Sequence, residues 1–302
     1  VSFWQTPWSL DVLAAALLVL AAGIYARGWM RLRRRVPARC RPFHLLAFLL
    51  GLDVLLVAMA PPLEALAARS LTAHMTQHLL LMMVAPLLLW LGAPVAPILL
   101  GIPAPVRRAV IALSARAPAR RLGRALTHPA VGWVAFAVVA WAWHAPALYE
   151  LALRSPGWHH VEHACFLGSA LLFWWPVVQP WPSRPRWPRW SMIPYLGLAE
   201  VQNILLAAVF TLSGRVLYPT YAATAAGAGT SALDDQIVAG VIMWGPGSLM
   251  FLLPAGWLIV RLLTPARMMP AIPPPANRAT PRRGSIMGRD VMALAPGSRR
   301  RG

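Results

Sequence analysis

Seven apolar runs, most of them near the ~20 residues that carry an α-helix across ~30 Å of hydrocarbon, constrain this chain more than any other feature. They lie at residues 10–29, 43–60, 73–91, 130–144, 159–178, 192–212 and 237–263. Composition agrees: 58% of the 302 residues are hydrophobic and only 12% charged, where a soluble domain carries roughly a quarter. An all-α polytopic membrane protein with seven transmembrane helices is expected. The fourth run is the shortest and should begin in the interface. The seventh holds Gly245-Pro246-Gly247 and Pro254, which predict a kink or local unwinding.

All 28 basic residues are arginine. With no lysine, a retinal Schiff base, a phosphate-binding loop lysine and a pyridoxal phosphate linkage are excluded. Twenty-five of the arginines fall in the first, third and fifth connections and in the stretch from Arg261 to Arg301, leaving Arg69, Arg154 and Arg215 for the opposite side. Cytoplasmic loops retain positive charge, so the N-terminus is expected outside and the C-terminus in the cytoplasm. The first run follows an uncharged leader and precedes a basic stretch, the reverse of a cleavable signal peptide, and is expected to be retained. We expect residues 1–263 to form the transmembrane domain, with a basic amphipathic segment at 101–127 lying on the inner leaflet. Residues 264–302, rich in Pro, Arg, Ala and Gly, are expected to form a disordered cytoplasmic tail. The net charge of +19 is thus read as a topology signal and an attraction to anionic membrane lipids, with no nucleic-acid role. Cys40 and Cys165 lie far apart and set no disulfide framework. No internal repeat supports a transporter built from inverted halves.

The topology assigns a depth to each histidine. His74, His78, His144, His159, His160 and His163 all fall at the outer side, while His44 and His128 sit at cytoplasmic ends as interfacial polar residues. Residues four apart share a helix face about 6 Å apart along the axis, so His74 and His78 on one helix can meet His159 and His163 on another. Met75, Met82 and Cys165 add soft donors, and Glu150, Glu162, Asp234 and Asp235 add acids on the same side. His/Met/Cys sets suit copper, Cu(I) above all, and His with carboxylates suits zinc equally. The candidate metal ligands are His74, His78, His159 and His163, with Met75, His144, His160 or Cys165 assisting. The bland alternative packs these histidines against tryptophans in an interfacial belt without a ligand. Asp53 and Glu200 start from the cytoplasmic ends of their helices and could share a proton or bond to backbone. Asp235 is either an N-terminal cap or an outer partner of a ligating imidazole.

The stretch from His74-Met75-Thr76-Gln77-His78 through Met82-Met83-Val84-Ala85-Pro86 to Gly92-Ala93-Pro94 resembles the signature of the CtaG-like assembly proteins of bacterial caa3-type cytochrome c oxidase. Trp143-His144-Ala145-Pro146, His159 through His163 with Trp174-Trp175-Pro176, and Asp235-Gln236 leading to Met243-Trp244 extend the resemblance over residues 40–262. It implies a seven-helix, multi-pass protein of the bacterial plasma membrane that is not an enzyme and helps form active oxidase, with oxidase subunits as partners and copper as the ion handled. Two other readings stay open. One is a zinc-dependent membrane hydrolase with Glu162 or Asp235 as general base, although His159-His160-Val161-Glu162-His163 has the wrong order for an HExxH site. The other is a haem held between His78 and His163.

Overall fold

The computed structural model describes residues 9–183, 186–229 and 231–264. These are all-helical apart from their connections, with no strand among the described residues. The expected tail lies outside them, save its first residue, Thr264.

Helix α1 runs Ser9–Arg35 and closes on Arg33, Arg34 and Arg35, cations that suit the negative end of the helix dipole. Helices α2, Pro42–Ala58, and α3, Pro61–Ala67, meet at 50°. The cause is Pro61-Pro62: a residue before proline is driven to extended backbone, and Ala60 has ψ 142°. Helix α4, Leu71–Leu79, continues through a π-helical turn, Leu80–Val84, into α5, Ala85–Leu91. Three short helices follow: α6, Val95–Gly101, α7, Ala104–Ser114, and α8, Ala117–Leu126. Helix α9, Pro129–His144, leaves α8 at 61°. Helix α10, Pro146–Arg154, then leads into α11, Pro156–Val178. The last helices among the described residues are α12, Met192–Leu212, α13, Pro219–Ala228, and α14, Ala232–Leu263.

Five helical stretches are long and apolar enough to cross a membrane, and the number becomes seven when the bent pairs α2–α3 and α8–α9 each count as one span. The fourth run is short, as expected, because Pro129 breaks it from α8. Helices α7 and α8 have no buried residue, as a surface-lying segment requires. The seventh run needs a correction. Its Gly-Pro-Gly segment does not unwind, and α14 is helical throughout its 32 residues. The Asn203 amide donates to the Met243 carbonyl (3.0 Å) beside Gly247, so α12 supports this stretch from outside.

Helix α12 packs along α14, α9 along α11, α2 along α5 and α1 along α6. Where proline removes an N–H, the freed carbonyl needs another donor. Pro86 cannot bond to the carbonyl of Met82, four residues earlier, and the Trp174 indole N–H takes it instead at 2.9 Å. That bond ties α11 to the π turn. The main apolar core lies among α9, α11, α12 and α14, where Phe136 stacks on Phe173 at 4.4 Å. A second core joins α1, α2 and α5 around Tyr25, Trp29 and Phe48.

Helices α1 and α6 touch backbone to backbone. A Cβ on Gly28 would sit 1.7 Å from the Pro97 carbonyl oxygen, whereas a Cβ on Gly23 meets nothing within 4 Å. Gly28→Val should therefore destabilise the detergent-purified protein by about 1–3 kcal/mol through overpacking. Gly23→Val should leave its thermal midpoint within error, and equal effects of the two would show that α1 is not held in this way.

Candidate metal centre

The chemistry gathers where α4, α11 and α14 begin. Helix α4 is fixed there by a residue of another helix. The Asp235 carboxylate accepts from the backbone N–H of Leu71 (2.6 Å) and of Thr72 (3.2 Å), and from the Ser70 hydroxyl (2.9 Å). These are free donors of a helix N-terminus, where negative charge is also favoured by the dipole. Asp235 is thus a cap, but of α4 rather than of its own helix, and it does not bond to an imidazole.

One turn further, His74 is oriented from behind. The Tyr221 hydroxyl donates to the Ala67 carbonyl (2.7 Å), so its oxygen accepts the Nδ1–H of His74 (2.9 Å) and leaves Nε2 with a lone pair. His159 is held in the same way: its Nδ1 bonds to Glu64 Oε1 at 2.7 Å. The other Glu64 oxygen accepts from the Gln77 amide at 2.8 Å, and that amide also donates to the Ala58 carbonyl at 2.7 Å. A carboxylate on the far nitrogen of a histidine fixes the tautomer and raises the basicity of the near one, the usual backing of a metal ligand.

The near nitrogens converge on Glu162. His74 Nε2 lies 3.7 Å from Glu162 Oε2, His159 Nε2 3.9 Å from the same oxygen, and His78 Nε2 3.6 Å from Oε1. The two α4 imidazoles approach each other at 2.9 Å through Nε2. Ligand atoms at about 2.0–2.1 Å from a tetrahedral ion sit roughly 3.4 Å apart, in the middle of this range. Glu162 is 0% exposed, and among the described residues no group donates to either of its oxygens. A carboxyl group so placed is neutralised by a proton or balanced by a positive charge such as a bound cation. His74, His159 and Glu162, whose ligand atoms all lie within 4.8 Å of one another, would hold a divalent ion here and supply a Lewis-acidic centre, with His78 at its edge. A cavity of about 240 Å³, lined by Glu64, His74 and His159 among others, opens beside it. A second group, Glu64, His159 and His163, also has its ligand atoms within 4.8 Å of one another.

Of the eight expected ligands, His74, His78, His159 and His163 come together as a cluster. His144 approaches, with its ring 6.0 Å from that of His78, and Met75 is buried beside it. His160 and Cys165 do not join, which corrects their assignment. His160 turns its Nδ1 to the Pro156 carbonyl at 2.5 Å, and Cys165, two residues past His163, packs against the apolar core. Sequence reasoning missed Glu64, Gln77 and Tyr221. Gln77 lies inside the His74–His78 stretch; Glu64 and Tyr221 sit on the short helices α3 and α13, where no spacing relates them to a histidine. Asp53 and Glu200 are not partners either. Asp53 faces outward among Leu49, Leu50, Leu56 and Val57, whereas Glu200 is buried. The space next to His78 is about 40 Å³, room for an ion or a water and not for a porphyrin.

The sequence model of the cytochrome c oxidase caa3 assembly factor family matches residues 23–264. The chain belongs to this family. Among curated proteins, this caa3 assembly factor family member is similar to the uncharacterized proteins Mb0105 of Mycobacterium bovis and MT0111 of Mycobacterium tuberculosis. Each is 27% identical over 278 residues, covering 86% of this chain and 39% of the relative. The uncharacterized protein ML1998 of Mycobacterium leprae is 23% identical over 255 residues, covering 79% of this chain and 37% of its own length. The chain thus spans about two fifths of the length of the curated relatives it matches. No solved structure matches it.

Helix α13, which carries Tyr221, is anchored by Glu150 of α10. Burial raises the pKa of this carboxyl, but the hydroxyl and amide of Thr220 and the Arg154 guanidinium outweigh it and hold the pKa below its ordinary value. A depressed folded-state pKa contributes stability above the unfolded value and loses it as pH falls through the folded one. Acidification through the carboxylate range should therefore loosen α13 in the wild type, read as a fall in thermal midpoint that is smaller in Glu150→Gln. At the centre itself, Glu64→Gln should weaken zinc or cobalt binding about 10–100-fold. His160→Ala and Cys165→Ser should not change it, as measured by equilibrium dialysis with elemental analysis.

Proposed function

We propose that this chain is a non-enzymatic assembly factor of the bacterial plasma membrane that helps copper reach cytochrome c oxidase subunits. The membership in the caa3 assembly factor family supports the oxidase as client. The observation that carries the metal reading is Glu162: a buried carboxylate without a protein donor, faced by His74, His78 and His159. Imidazole-rich sets bind copper more tightly than the other divalent first-row ions. The arginine asymmetry orients the protein as seven spans, N-terminus outside and C-terminus in the cytoplasm, which puts the centre in the outer leaflet. Helices α7 and α8 then lie on the inner leaflet, with Arg120, Arg121 and Arg124 toward anionic lipid headgroups.

The test uses cells that lack their own copy and are complemented with this chain or with its His74→Ala/His159→Ala variant. The wild type should restore oxidase that contains copper, and the variant should leave oxidase deficient in copper although the variant itself is folded and inserted. Normal, copper-replete oxidase with the variant would overturn the metal role and leave a scaffold. Hydrolysis of any member of a lipid panel by the purified, zinc-loaded protein would instead favour a hydrolase.

A further inference from the structure

Beneath the His/Glu centre lies a separate cavity of about 40 Å³ with a different wall chemistry. Met75, Met82, Met83 and Met243 line it together with His78 and His144. The four thioethers come from three segments of chain, α4, the π turn and α14, and all are buried, at 1%, 7%, 5% and 8% exposure. No carboxylate lines the cavity. A π turn fits one extra residue into the helix and is frequent at functional sites. Here it delivers Met82 and Met83 in succession, and the Trp174 bond to the Met82 carbonyl holds that turn in place.

His144 supplies the decisive group. Its Nδ1 lies 2.6 Å from the Ala140 carbonyl, which can only accept, so Nδ1 carries the proton and Nε2 carries a lone pair. That nitrogen is buried and no protein group bonds to it. His78 stands between the two chambers: Nε2 faces Glu162, while Nδ1 is buried without a protein partner. Both imidazole nitrogens are thus buried without a partner among the described residues, whereas buried polar atoms are nearly always bonded.

We propose that this chamber is a Cu(I) site, distinct from the His/Glu centre and built from thioethers with His144 and His78. Soft thioether ligands select Cu(I), whereas zinc and other divalent ions favour the harder donors above. A monovalent ion also carries half the charge of a divalent one and so needs less compensation in so apolar a place. The inference deepens the copper reading and rests on it only for its biological purpose, since the binding can be measured alone.

The full chain in detergent is titrated with Cu(I) against a chromophoric chelator, and X-ray absorption of the bound copper reports sulfur scatterers. Co(II) spectra report the His/Glu centre separately. Wild type should show sulfur in the copper shell. Met75→Leu/Met82→Leu/Met243→Leu, a nearly volume-conserving change, should lose that sulfur and weaken Cu(I) about tenfold or more while keeping the Co(II) spectrum. Single Met82→Leu serves if the triple variant does not fold, and Met250→Leu, outside the chamber, is the control. Glu162→Gln/His159→Ala should do the converse, losing Co(II) and keeping sulfur-ligated Cu(I). Copper bound through nitrogen and oxygen alone, or Cu(I) held as tightly by the methionine variants, would overturn the proposal. Sulfur-ligated Cu(I) in a wild type that takes no Co(II) would uphold the chamber while removing the His/Glu centre.

Discussion

A carboxylate sealed from water must find positive charge or hydrogen-bond donors, and Glu162 has no protein donor at either oxygen. Much of the surrounding structure holds imidazoles toward it. His74 is turned by Tyr221 from α13, and His159 by Glu64 from α3, while Asp235 of α14 fixes the start of α4. Three elements outside α11 thus set the tautomer or position of these imidazoles. The short helices α3 and α13 matter for this reason more than for any apolar area they bury.

The same rule of satisfying buried polar groups organises the bundle deeper down. The carbonyl of Met82 loses its helical partner to Pro86 and gains Trp174, and the Tyr195 hydroxyl donates to the carbonyl of Phe173. Gly132 lets α9 approach the Leu172 carbonyl, where a Cβ would stand at 2.7 Å. Leu172 lies four residues before Pro176, so its carbonyl too lacks the usual N–H. Prolines inside membrane helices are tolerated when neighbouring helices meet the groups they free, and the Trp174 bond, the Tyr195 bond and the close approach at Gly132 together hold α11 against the π turn, α12 and α9. The histidines and Glu162 at the head of α11 are therefore carried on a helix with few ways to move.

The sequence disclosed what depends on periodicity. Hydrophobic length located the helical runs to within a few residues, and the i, i+4 spacing put His74 with His78 and His159 with His163. It overshot at His160 and Cys165, because adjacency along the chain turns a side chain about 100° around a helix with each residue. The bent pairs α2–α3 and α8–α9 could be read from Pro61 and Pro129, yet the continuity of α14 through Gly245-Pro246-Gly247 could not, since it relies on Asn203 from another helix. Glu64, Tyr221 and the true target of Asp235 were invisible for the same reason. Each acts across a tertiary contact of a short helix, and no local pattern encodes such a contact.

The distribution of donor types with depth follows from the cost of charge in hydrocarbon. Glu64 and Glu162 lie near the helix starts, level with the 240 Å³ cavity beside Glu64, His74 and His159. Met82 is eight residues beyond His74, about 12 Å further along the helix, and the chamber there offers only neutral side chains. An ionised carboxylate at that level would cost several kcal/mol, whereas a thioether costs nothing and an imidazole little once one nitrogen is bonded. Any ion that moves inward along α4 must therefore exchange charged oxygen donors for neutral sulfur and nitrogen. The outer centre would therefore suit a divalent ion and the deeper chamber a monovalent one.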